Sequence, residues 1–535
     1  MKLKQLSTIE QFITELNRKQ SAKRDDIFAL QRRFCKKYNR TNFFRKDELM
    51  ESYRRMLSQG KIKPNKKLEQ AFVLKQVRSL SGIVVVSLLT KPFPCPGKCL
   101  YCPTEMGAPK SYLKNEPAVA RAIMCKYDPY LQVKARLQAL KNIGHPIDKI
   151  NIRIIGGTWS YYPKNYQTWF MKKIYKAVNE FETRIRNNEL GTRVLNQLQQ
   201  ANEKAKCRIV EISVETRQDY IDNNEIKRLR NFGVTKVELG VQALDDDVLK
   251  INRRGHDIKT TIKATKLLKD AGFKVAYQMM ANLYGSNLKK DKKMFEELFN
   301  NADFRPDYLK IYPQALVKNS GTYILYKNKK YKPYSKKQLK NLIKYIKSIV
   351  PYYLRIERII RDIPTNKIIE GGAKISNLRQ IIKEEMKEEN LKCKCIRCRE
   401  IKDNDFKRII PLLIIYKYKS SEGIEYFLSY ESKKRDKLFS ILRLRITKDL
   451  NILELKDAAI IREIHTYGRE LPVSKNEKLA SQHHGLGKNL IKEAEQIARN
   501  NGLEKIAVIS GIGARPYFRK LGYKLENTYM IKSIS

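Results

Sequence analysis

The stretch "KPFPCPGKCLYCPTE", residues 91–105, places Cys95, Cys99 and Cys102 directly after the apolar run "GIVVVSLLT". A short apolar, β-branched run predicts a buried strand, so the three thiols lie on the loop that follows this strand. An iron–sulfur cube has four irons, and three cysteines leave one iron without a protein ligand and free for chemistry. Structural zinc is the alternative, but it takes four closed ligands and no histidine lies nearby. We expect a [4Fe-4S] cluster here.

Strand-like runs and helical stretches alternate from this loop to about residue 374. The runs are "GIVVVSLL", "KINIRIIG", "CRIVEISVE", "KVELGVQ", "KVAYQMM" and "DYLKIYPQ". Six such alternations predict a parallel sheet, either curled into a partial (β/α)6 barrel or wound open. Residues after about 401 read as antiparallel strands followed by a helix, so the chain is an α/β multidomain protein.

The spacing Cys95-x3-Cys99-x2-Cys102, with the aromatic Tyr101 inside it, resembles the cluster loop of radical S-adenosylmethionine enzymes. In that superfamily the open iron chelates S-adenosylmethionine. Ligands of parallel sheets gather at the carboxyl ends of the strands, where this chain carries small and polar residues. The residues expected to bind S-adenosylmethionine are Gly156, Gly157, Thr158, Glu215, Arg217 and Gln242.

The chain is strongly basic, with 109 Lys and Arg against 56 Asp and Glu and a formal net charge of +53. Such an excess favours a polyanionic partner, nucleic acid first, although a solvated lysine-rich surface is the alternative. Residues 1–75 read as short amphipathic helices with aromatics among the charges, and we expect them to bind RNA. The expected phosphate contacts are Arg32, Arg33, Lys36, Lys37 and Arg45.

No stretch of the sequence has the long apolar core of a signal peptide or the roughly 20 apolar residues of a membrane span. We therefore expect a cytoplasmic protein without a membrane partner. Its nine cysteines, clustered in threes, indicate metal ligation and not a disulfide framework. The second trio, Cys393, Cys395 and Cys398 in "CKCIRC", predicts a structural zinc site whose fourth ligand is not visible.

The stretch "QHHGLGKNLIKEAEQIA" contains a Q-x-x-G-x-G turn, residues 482–487, that opens an amphipathic helix. Backbone N–H groups at such a helix start, with the helix dipole and Lys488, would hold the pyrophosphate of coenzyme A. With the following "KIAVISGIGARPYFRKLGY", this pattern predicts an α+β acetyltransferase domain of the GNAT type over residues 401–535.

Nearly the whole chain resembles the catalytic subunit of Elongator, a transfer-RNA wobble-uridine acetyltransferase family of which it would be an archaeal-type member. The matches run in order through "KPFPCPGKCLYCP", "KSYLKNEPAVARA", "VELGVQAL", "RRGHD", "KIYPQALVKNSGT", "CKCIRCREI", "LRLR", "REIHTYGRELPV" and "VISGIGARPYFRKLGY". The resemblance implies four segments: a tRNA-binding segment at 1–75, a radical S-adenosylmethionine domain at 76–374, a zinc-bearing linker at 375–400 and the acetyltransferase domain at 401–535.

The resemblance also implies the reaction and its cofactors. A [4Fe-4S] cluster, S-adenosylmethionine and acetyl-CoA together add a carboxymethyl group to carbon 5 of the wobble uridine, and Zn²⁺ is structural. The implied partners are tRNA, acetyl-CoA, and either Elongator-like subunits or a second copy of the chain. The implied acetyl-CoA contacts are Lys149, Glu463, Ile464, His465, Thr466, Gln482, Gly485, Leu486, Gly487, Lys488 and Phe518.

Several residues depart from the family pattern. Gln278, Ala281 and Tyr284 stand where His, Pro and Pro are common, and Phe518 stands where a tyrosine is usual. A tyrosine hydroxyl beside the coenzyme A sulfur would assist the leaving thiolate, so Phe518 predicts slow turnover unless Tyr517 substitutes. We therefore expect Lys149, Tyr517 and Phe518 to lie at the reacting groups.

Two other functions are compatible with these motifs. One is a protein-lysine acetyltransferase of the histone type with a structural cluster, although a cationic surface repels basic tails. The other is a catalytically impaired tRNA-binding scaffold, which the departures from the family pattern favour. The lysine acetyltransferase predicts acetyl transfer to histone-like peptides without S-adenosylmethionine or reductant, and formation of 5′-deoxyadenosine by the reconstituted protein distinguishes the proposed enzyme from the scaffold.

Overall fold

The computed structural model describes residues 7–18, 24–40, 42–72, 82–182, 194–375, 377–401, 409–448, 452–468 and 485–534. Four helices come first: α1 (Thr8–Arg18), α2 (Arg24–Lys37), α3 (Lys46–Ser58) and α4 (Lys66–Phe72). They share a small apolar core around Phe12, Phe34 and Tyr53. No described helix combines the length and the apolar character that crossing a membrane requires.

A parallel sheet follows, with strands in the order in which they occur in the chain. Its strands are β1 (Ile83–Leu89), β2 (Lys149–Ile155), β3 (Arg208–Thr216), β4 (Lys236–Gln242), β5 (Lys274–Met279), β6 (Tyr308–Ile311) and β7 (Arg355–Arg358). Among the described residues β1 and β7 are the two edge strands and do not pair with each other, so this curled sheet is a barrel that does not close. We expected six strands; the seventh, "RIER", has four residues of which three are charged, so it lacks the apolar signature of the others.

Helices cover the outer face of this barrel or connect its strands. They are α5 (Pro117–Met124), α6 (Pro129–Asn142), α7 (Lys164–Asn179), α8 (Leu195–Lys204), α9 (Asn223–Asn231), α10 (Asp246–Ile251), α11 (Ile258–Asp270), α12 (Leu288–Asn300), α13 (Gly321–Lys327) and α14 (Lys336–Ile349). Apolar residues alternate along β2, where Ile150, Ile152 and Ile154 are buried and the residues between them are partly exposed. The apolar face packs on the helices and the polar face turns into the barrel lumen.

Two helices, α15 (Leu378–Glu388) and α16 (Ile396–Arg399), lead to a second, mixed sheet. Its strands are β8 (Leu412–Ser420), β9 (Gly423–Glu431), β10 (Leu438–Ile446), β11 (Ala458–Thr466), β12 (Lys505–Val508), β13 (Lys524–Glu526) and β14 (Tyr529–Ser533), in the order β13-β14-β12-β11-β10-β9-β8. Helices α17 (Leu486–Asn500) and α18 (Arg515–Arg519) complete this part of the chain. The two predicted sheets of an α/β multidomain protein are confirmed.

The second sheet packs against the amino ends of the barrel strands. Arg462 donates to the carbonyl of Phe273, and the Tyr529 hydroxyl donates to the carbonyl of Ala271, just before β5. A Cβ on Gly511 would collide with the backbone of Val210, so only glycine permits this close approach to β3.

Buried ion pairs fix this contact. The Asp307 carboxylate, fully buried before β6, accepts from Arg462 at 2.9 Å and lies 3.5 Å from Arg443. Arg445 donates to Asp270 at 2.9 Å. Because Arg443 and Arg445 are two residues apart on β10, both point from the same face of the strand into the barrel domain.

Candidate functional site

The three-cysteine loop lies at the carboxyl end of the barrel. It follows β1. Thr90, the residue directly after this strand, donates from its hydroxyl to the carbonyl of Gly156 at the end of β2. Gly156 has φ +123°, and a Cβ there would collide with the Thr90 hydroxyl, so glycine is required for the approach of the two strand ends. The loop is therefore held over the barrel mouth.

Cys99 is buried, and the Arg254 guanidinium lies 3.6 Å from its Sγ. A hydrogen bond from Cys102 and the charge of Arg254 lower the pKa of Cys99 to about 5, against the opposing effect of burial. A thiolate is the form that ligates iron. Arg254 belongs to "RRGHD", a stretch that the family resemblance includes without implying a role for it. The other nitrogens of its guanidinium donate to the carbonyl of Gly240.

The residues expected to bind S-adenosylmethionine lie at three neighbouring strand ends, as the barrel requires. Gly156, Gly157 and Thr158 follow β2, and Gln242 closes β4. Their carboxyl ends meet on the same side of the sheet as the cysteine loop. Whether these residues bind the cofactor stays a prediction.

The Glu215 and Arg217 side chains already have hydrogen-bond partners within the chain, which the sequence did not indicate. The Glu215 carboxylate accepts from Tyr112 at 2.7 Å and from Gln278 at 2.9 Å. The Arg217 guanidinium donates to the Asp219 carboxylate at 2.7 Å and to the carbonyl of Arg254 at 3.0 Å. Each has remaining hydrogen-bonding capacity, but these contacts hold both side chains in place before any ligand binds.

A chain of polar contacts runs through the barrel lumen. The Lys236 ammonium lies 4.2 Å from the centre of the Tyr308 ring and 3.7 Å from the Glu238 carboxylate. Glu238 also accepts a hydrogen bond from Lys310, whose ammonium lies 3.5 Å from the Glu215 carboxylate. Arg153 also donates to Glu238 at 2.9 Å. The lumen is thus lined by paired charges, which the apolar runs of the sequence did not reveal.

In the described part of the second sheet, a stretch of β11 that is unpaired on one side lies beside the start of α17, and the place where they meet is here called the cleft. Strand β11 pairs with β12 only through residues 458–461, so within the described chain its residues 463–466 have no partner on that side. Gly487, in the first turn of α17, lies beside three groups: an added Cβ would be 3.5 Å from the Tyr517 hydroxyl, 3.6 Å from the Thr466 hydroxyl and 3.7 Å from Ile464. A free strand edge and a helix start converge here, an arrangement that can hold an extended chain ending in phosphates.

Tyr517 and Phe518 differ sharply in exposure. Tyr517 is 39% exposed, and its hydroxyl faces the start of α17. Phe518 is 3% exposed and packs in the core of the second sheet against Tyr523, with ring centroids 5.8 Å apart. The buried ring of Phe518 serves packing, so the hydroxyl beside the cleft belongs to Tyr517.

The Glu463 side chain turns away from the cleft toward the barrel. It accepts from Arg443 at 2.8 Å and from the Tyr308 hydroxyl, and although burial opposes it, the Arg443 charge lowers the pKa of Glu463 to about 2. We expected Glu463 to contact acetyl-CoA, and only its backbone remains available for that. Lys149 begins β2, on the strand face that carries the lumen residues Asn151 and Arg153.

The cleft and the cysteine loop thus lie at opposite ends of one barrel. The loop follows the carboxyl end of β1, whereas the second sheet packs on the first residues of β3 and on residues that precede β5, β6 and β7. The lumen contacts extend between the two ends, from Glu463 through Tyr308 to Glu215.

The second cysteine trio forms a compact group. The Sγ atoms of Cys393, Cys395 and Cys398 all lie within 4.8 Å of one another, the only such group of three His, Cys, Asp or Glu side chains in the described part of the chain. A tetrahedral ion with Zn–S bonds of about 2.3 Å holds its sulfurs about 3.8 Å apart, so this trio fits one ion. The Lys347 ammonium lies 3.5 Å from Cys398 Sγ.

The predicted phosphate contacts are exposed on α2 and at the start of α3, but two of them are already paired. Arg33 pairs with Glu15, and Arg45 lies 3.1 Å from Asp47 and 3.2 Å from Glu48. Arg32 and Lys36 have no acidic partner among the described residues. Gln482, expected to contact acetyl-CoA, lies outside the described residues.

Comparison with known families agrees with this geometry. The Radical SAM superfamily matches residues 94–298, the Radical_SAM C-terminal domain matches 306–388, and the acetyltransferase (GNAT) family matches 479–523. These ranges include the cysteine loop, barrel strands β2 to β7 and the start of α17.

Three curated proteins are similar over most of their length. A tRNA uridine(34) acetyltransferase from Methanocaldococcus infernus is 42% identical over 475 residues, covering 86% of this chain and 87% of its own. One from Dehalococcoides mccartyi is 41% identical, covering 86% and 99%. Elongator complex protein 3 from Homo sapiens is 36% identical, covering 86% of both chains.

A solved structure, the archaeal Methanocaldococcus infernus Elp3 with an N-terminal deletion (1-46), is also similar. It aligns with a TM-score of 0.73 at 39% identity and covers 85% of this chain and 100% of its own.

Proposed function

The chain belongs to the family of tRNA uridine(34) acetyltransferases and Elongator complex protein 3, and from this premise we propose that it adds a carboxymethyl group to carbon 5 of the wobble uridine. It is a tRNA wobble-uridine-modifying enzyme of the acyltransferase class, with a radical S-adenosylmethionine part and a GNAT part. The observation that carries the finer proposal is that one barrel joins a three-thiol loop at one end to a coenzyme-type cleft at the other.

Cys95, Cys99 and Cys102 would hold the [4Fe-4S] cluster. Their sulfurs do not all lie within the 4.8 Å found for the second trio, and a cube holds its thiolates further apart than a single ion does. The thiolate character of Cys99 and the absence of a fourth ligand from this loop fit a cluster with one open iron. When bound, the cluster supplies the electron that cleaves S-adenosylmethionine reductively.

The strand ends would hold S-adenosylmethionine in the barrel mouth. Gly157 leaves room for a ligand beside the backbone, since an added Cβ there would meet nothing within 4 Å, whereas Gly156 lets Thr90 approach; Thr158 adds a hydroxyl. Arg217, held by Asp219, presents a fixed cation to the methionine carboxylate, and Glu215, held by Tyr112 and Gln278, presents an acceptor to ribose hydroxyls. Gln278 stands where the family commonly has histidine, and in this chain it donates a hydrogen bond to Glu215.

The cleft of the second sheet would hold acetyl-CoA. The backbone of residues 463–466 offers its free edge to the pantetheine arm, and the N–H groups from Gly485 to Lys488 face the pyrophosphate. Lys149, on the lumen face of β2, and Tyr517 are the side chains that we assign to the thioester end. The acetyl group would then reach the barrel mouth through the lumen.

Replacing Tyr517 by phenylalanine should slow tRNA-dependent acetyl-CoA turnover at least tenfold. The reason is that a thiolate leaves readily only when a donor stabilises it, a contribution of about 10² to 10⁴ in rate for general acids. Turnover is followed by release of free coenzyme A, and coenzyme affinity should change little.

Phe518→Tyr is the matched control for this change. It places a hydroxyl in the core of the second sheet, so it should lower the melting temperature without raising turnover. Equal turnover in Tyr517→Phe and the parent protein would remove Tyr517 from the reaction.

The basic helices would hold tRNA by its phosphates. Neutralising Arg32 and Lys36 together should reduce the slope of log affinity against log salt by about one to two, because each removes one phosphate contact. Neutralising Arg45, which already pairs with Asp47 and Glu48, should change the slope less. Filter binding of tRNA between low and moderate salt measures this, and an unchanged slope in the double variant would move the RNA contact elsewhere.

Zn²⁺ is the metal that we propose for Cys393, Cys395 and Cys398. Thiolates favour zinc, and the close spacing of the trio fits one tetrahedral ion. Iron–sulfur groups also take thiolate ligands, so elemental analysis of the Cys398→Ser variant decides between zinc and iron. The metal whose content falls relative to the parent protein is the one that the trio holds. The trio lies in the proposed linker 375–400. The proposed segments 1–75 and 76–374 precede this linker, and the segment 401–535 follows it.

Partners beyond tRNA are either Elongator-like subunits or a second copy of the chain. The edge strand β8 supports this proposal, because Leu412, Ile415 and Tyr416 are each more than two-fifths exposed on it. Sedimentation of the purified protein distinguishes the two, since a monomer at every concentration excludes the homodimer. Because the proposed substrate is tRNA, we place the enzyme in the cytoplasm.

The decisive experiment is mass spectrometry of nucleosides from tRNA incubated with the protein, acetyl-CoA, S-adenosylmethionine and a reductant. Appearance of 5-carboxymethyluridine supports the proposal. Acetylated histone-type peptides without S-adenosylmethionine would support the lysine acetyltransferase, and RNA binding without 5′-deoxyadenosine would support the scaffold.

A further inference from the structure

A row of aromatic rings, here called the aromatic ladder, borders the barrel mouth. It is made of Tyr220, Tyr161, Phe93, Tyr162, Tyr166 and Trp169, in that spatial order. Successive ring centroids are 5.8, 5.9, 4.9, 5.2 and 5.5 Å apart. Phe93 is two residues before Cys95, and Tyr161 is three residues after Thr158, so the ladder begins at the proposed site.

The ladder is anchored at its centre and open at its surface. Tyr162 is buried, and its hydroxyl lies 2.9 Å from Thr90 Oγ1 and 2.8 Å from the carbonyl of Lys91. Tyr166 accepts from the backbone N–H of Lys91 at 3.0 Å. By contrast, Tyr161 and Trp169 are each 39% exposed. Thr90 and Lys91, the two residues after β1, therefore fix the inner rings, which in turn support two rings that are partly exposed to solvent.

The charge around the ladder favours an anionic partner. The Lys91 ammonium lies 4.9 Å over the Tyr166 ring, and Lys164 is exposed at the start of α7. Neither lysine has an acidic partner in the part of the chain that the structure describes. The acid nearest to the end of the ladder in sequence, Asp219, is paired with Arg217.

Exposed rings interleaved with unpaired lysines match single-stranded nucleic acid better than duplex. Unpaired bases stack on aromatic side chains while lysines follow the backbone, and an enzyme that acts on a recessed base must splay the bases around it. In a paired stem the base faces are covered by stacking on neighbouring pairs, so a stem would contact the lysines but not the rings.

We propose that the aromatic ladder is the stacking surface for the unpaired anticodon-loop bases beside the target uridine. The inference rests on the proposed function for the identity of the RNA. Stacking tolerates any base, so the ladder supplies affinity for a splayed loop, and the barrel mouth selects the uridine.

Tryptophan fluorescence tests this directly, because the chain has two tryptophans and Trp159 is only 1% exposed. An RNA hairpin with the stem and loop of an anticodon arm should quench Trp169, whereas a fully paired RNA with the same number of phosphates should not. The quenching should disappear in Trp169→Phe, whose hairpin affinity stays close to that of the parent.

Affinity measurements on the full chain provide the second arm. Tyr161→Leu and Trp169→Leu should each weaken hairpin binding about fivefold to a hundredfold and leave duplex binding unchanged. Lys91→Gln should weaken both RNAs alike. Tyr416→Leu, a change at a similarly exposed tyrosine on β8, should affect neither, and unchanged acetyl-CoA binding shows that each variant is folded.

Unchanged hairpin affinity in both leucine variants would overturn the proposal and leave the ladder as a surface for a partner protein. Equal loss for hairpin and duplex would also overturn it, because stacking requires unpaired bases. Failure of the proposed function is distinguishable: hairpin binding with these properties but no modified uridine would reject the reaction and retain the ladder.

Discussion

Replacing Cys99 by serine should reduce 5′-deoxyadenosine formation to the level of protein without a cluster, and wobble-uridine modification should disappear with it. In the proposed site Cys99 would supply one of three protein ligands, and the Arg254 guanidinium lies 3.6 Å from its Sγ, where its charge favours the thiolate. Serine has nearly the same size but no thiolate, so the loop keeps its shape and loses its metal. The measurement is anaerobic reconstitution followed by chromatography of the nucleoside products and by iron analysis.

Two controls separate this effect from damage to the fold. Cys125→Ser changes another buried cysteine, one that belongs to neither trio, and should keep full activity. Acetyl-CoA binding by Cys99→Ser should equal that of the parent protein, because the cleft lies at the opposite end of the barrel. Persistent 5′-deoxyadenosine in Cys99→Ser would show that this loop does not hold the reactive cluster.

Replacing Asp307 by alanine should destabilise the protein by about 3 to 5 kcal/mol, because it leaves Arg462 and Arg443 buried without their shared partner. Asp307, Arg462 and Arg443 are each at most 1% exposed. The Asp307 carboxylate also accepts from the backbone N–H of Val275 at 2.8 Å, so its loss frees a further buried donor. Chemical denaturation followed by circular dichroism measures the change.

Asp362→Ala is the matched control, since it removes an acid that pairs with Arg358 at 2.7 Å where both side chains are exposed. Exposed pairs contribute at most about 1 kcal/mol, so this variant should unfold close to the parent. Similar small losses in both variants would mean that the joint between the two sheets does not depend on Asp307.

The sequence predicted the parts of the site that depend on local chemistry. Three cysteines in one loop and glycines at a helix start need particular residues at fixed spacing, and both patterns remain legible without a structure. The apolar strands were equally clear, because a strand buried on one face must alternate or run apolar.

What the sequence could not show depends on pairing between distant segments. Nothing in "LRLR" indicates that Arg443 and Arg445, which are two residues apart, are buried opposite Asp307 and Asp270. The short strand β7 is charged because it lines a polar lumen, so its composition does not predict a buried strand. Phe518 and Tyr517 are neighbours in the chain, and only the packing of α18 determines which ring is buried.

The buried ion pairs between the two sheets also bear on how the molecule responds to heat. Taking charges out of water costs less free energy as temperature rises, whereas the stabilisation per unit of buried apolar area levels off. The joint formed by Asp307, Asp270 and the three arginines of β10 and β11 therefore gains relative weight on warming. On heating, the junction of the two sheets is the part of the molecule that yields late. The small apolar core of α1 to α4 yields early, because each described ion pair around it has a side chain that is more than a quarter exposed.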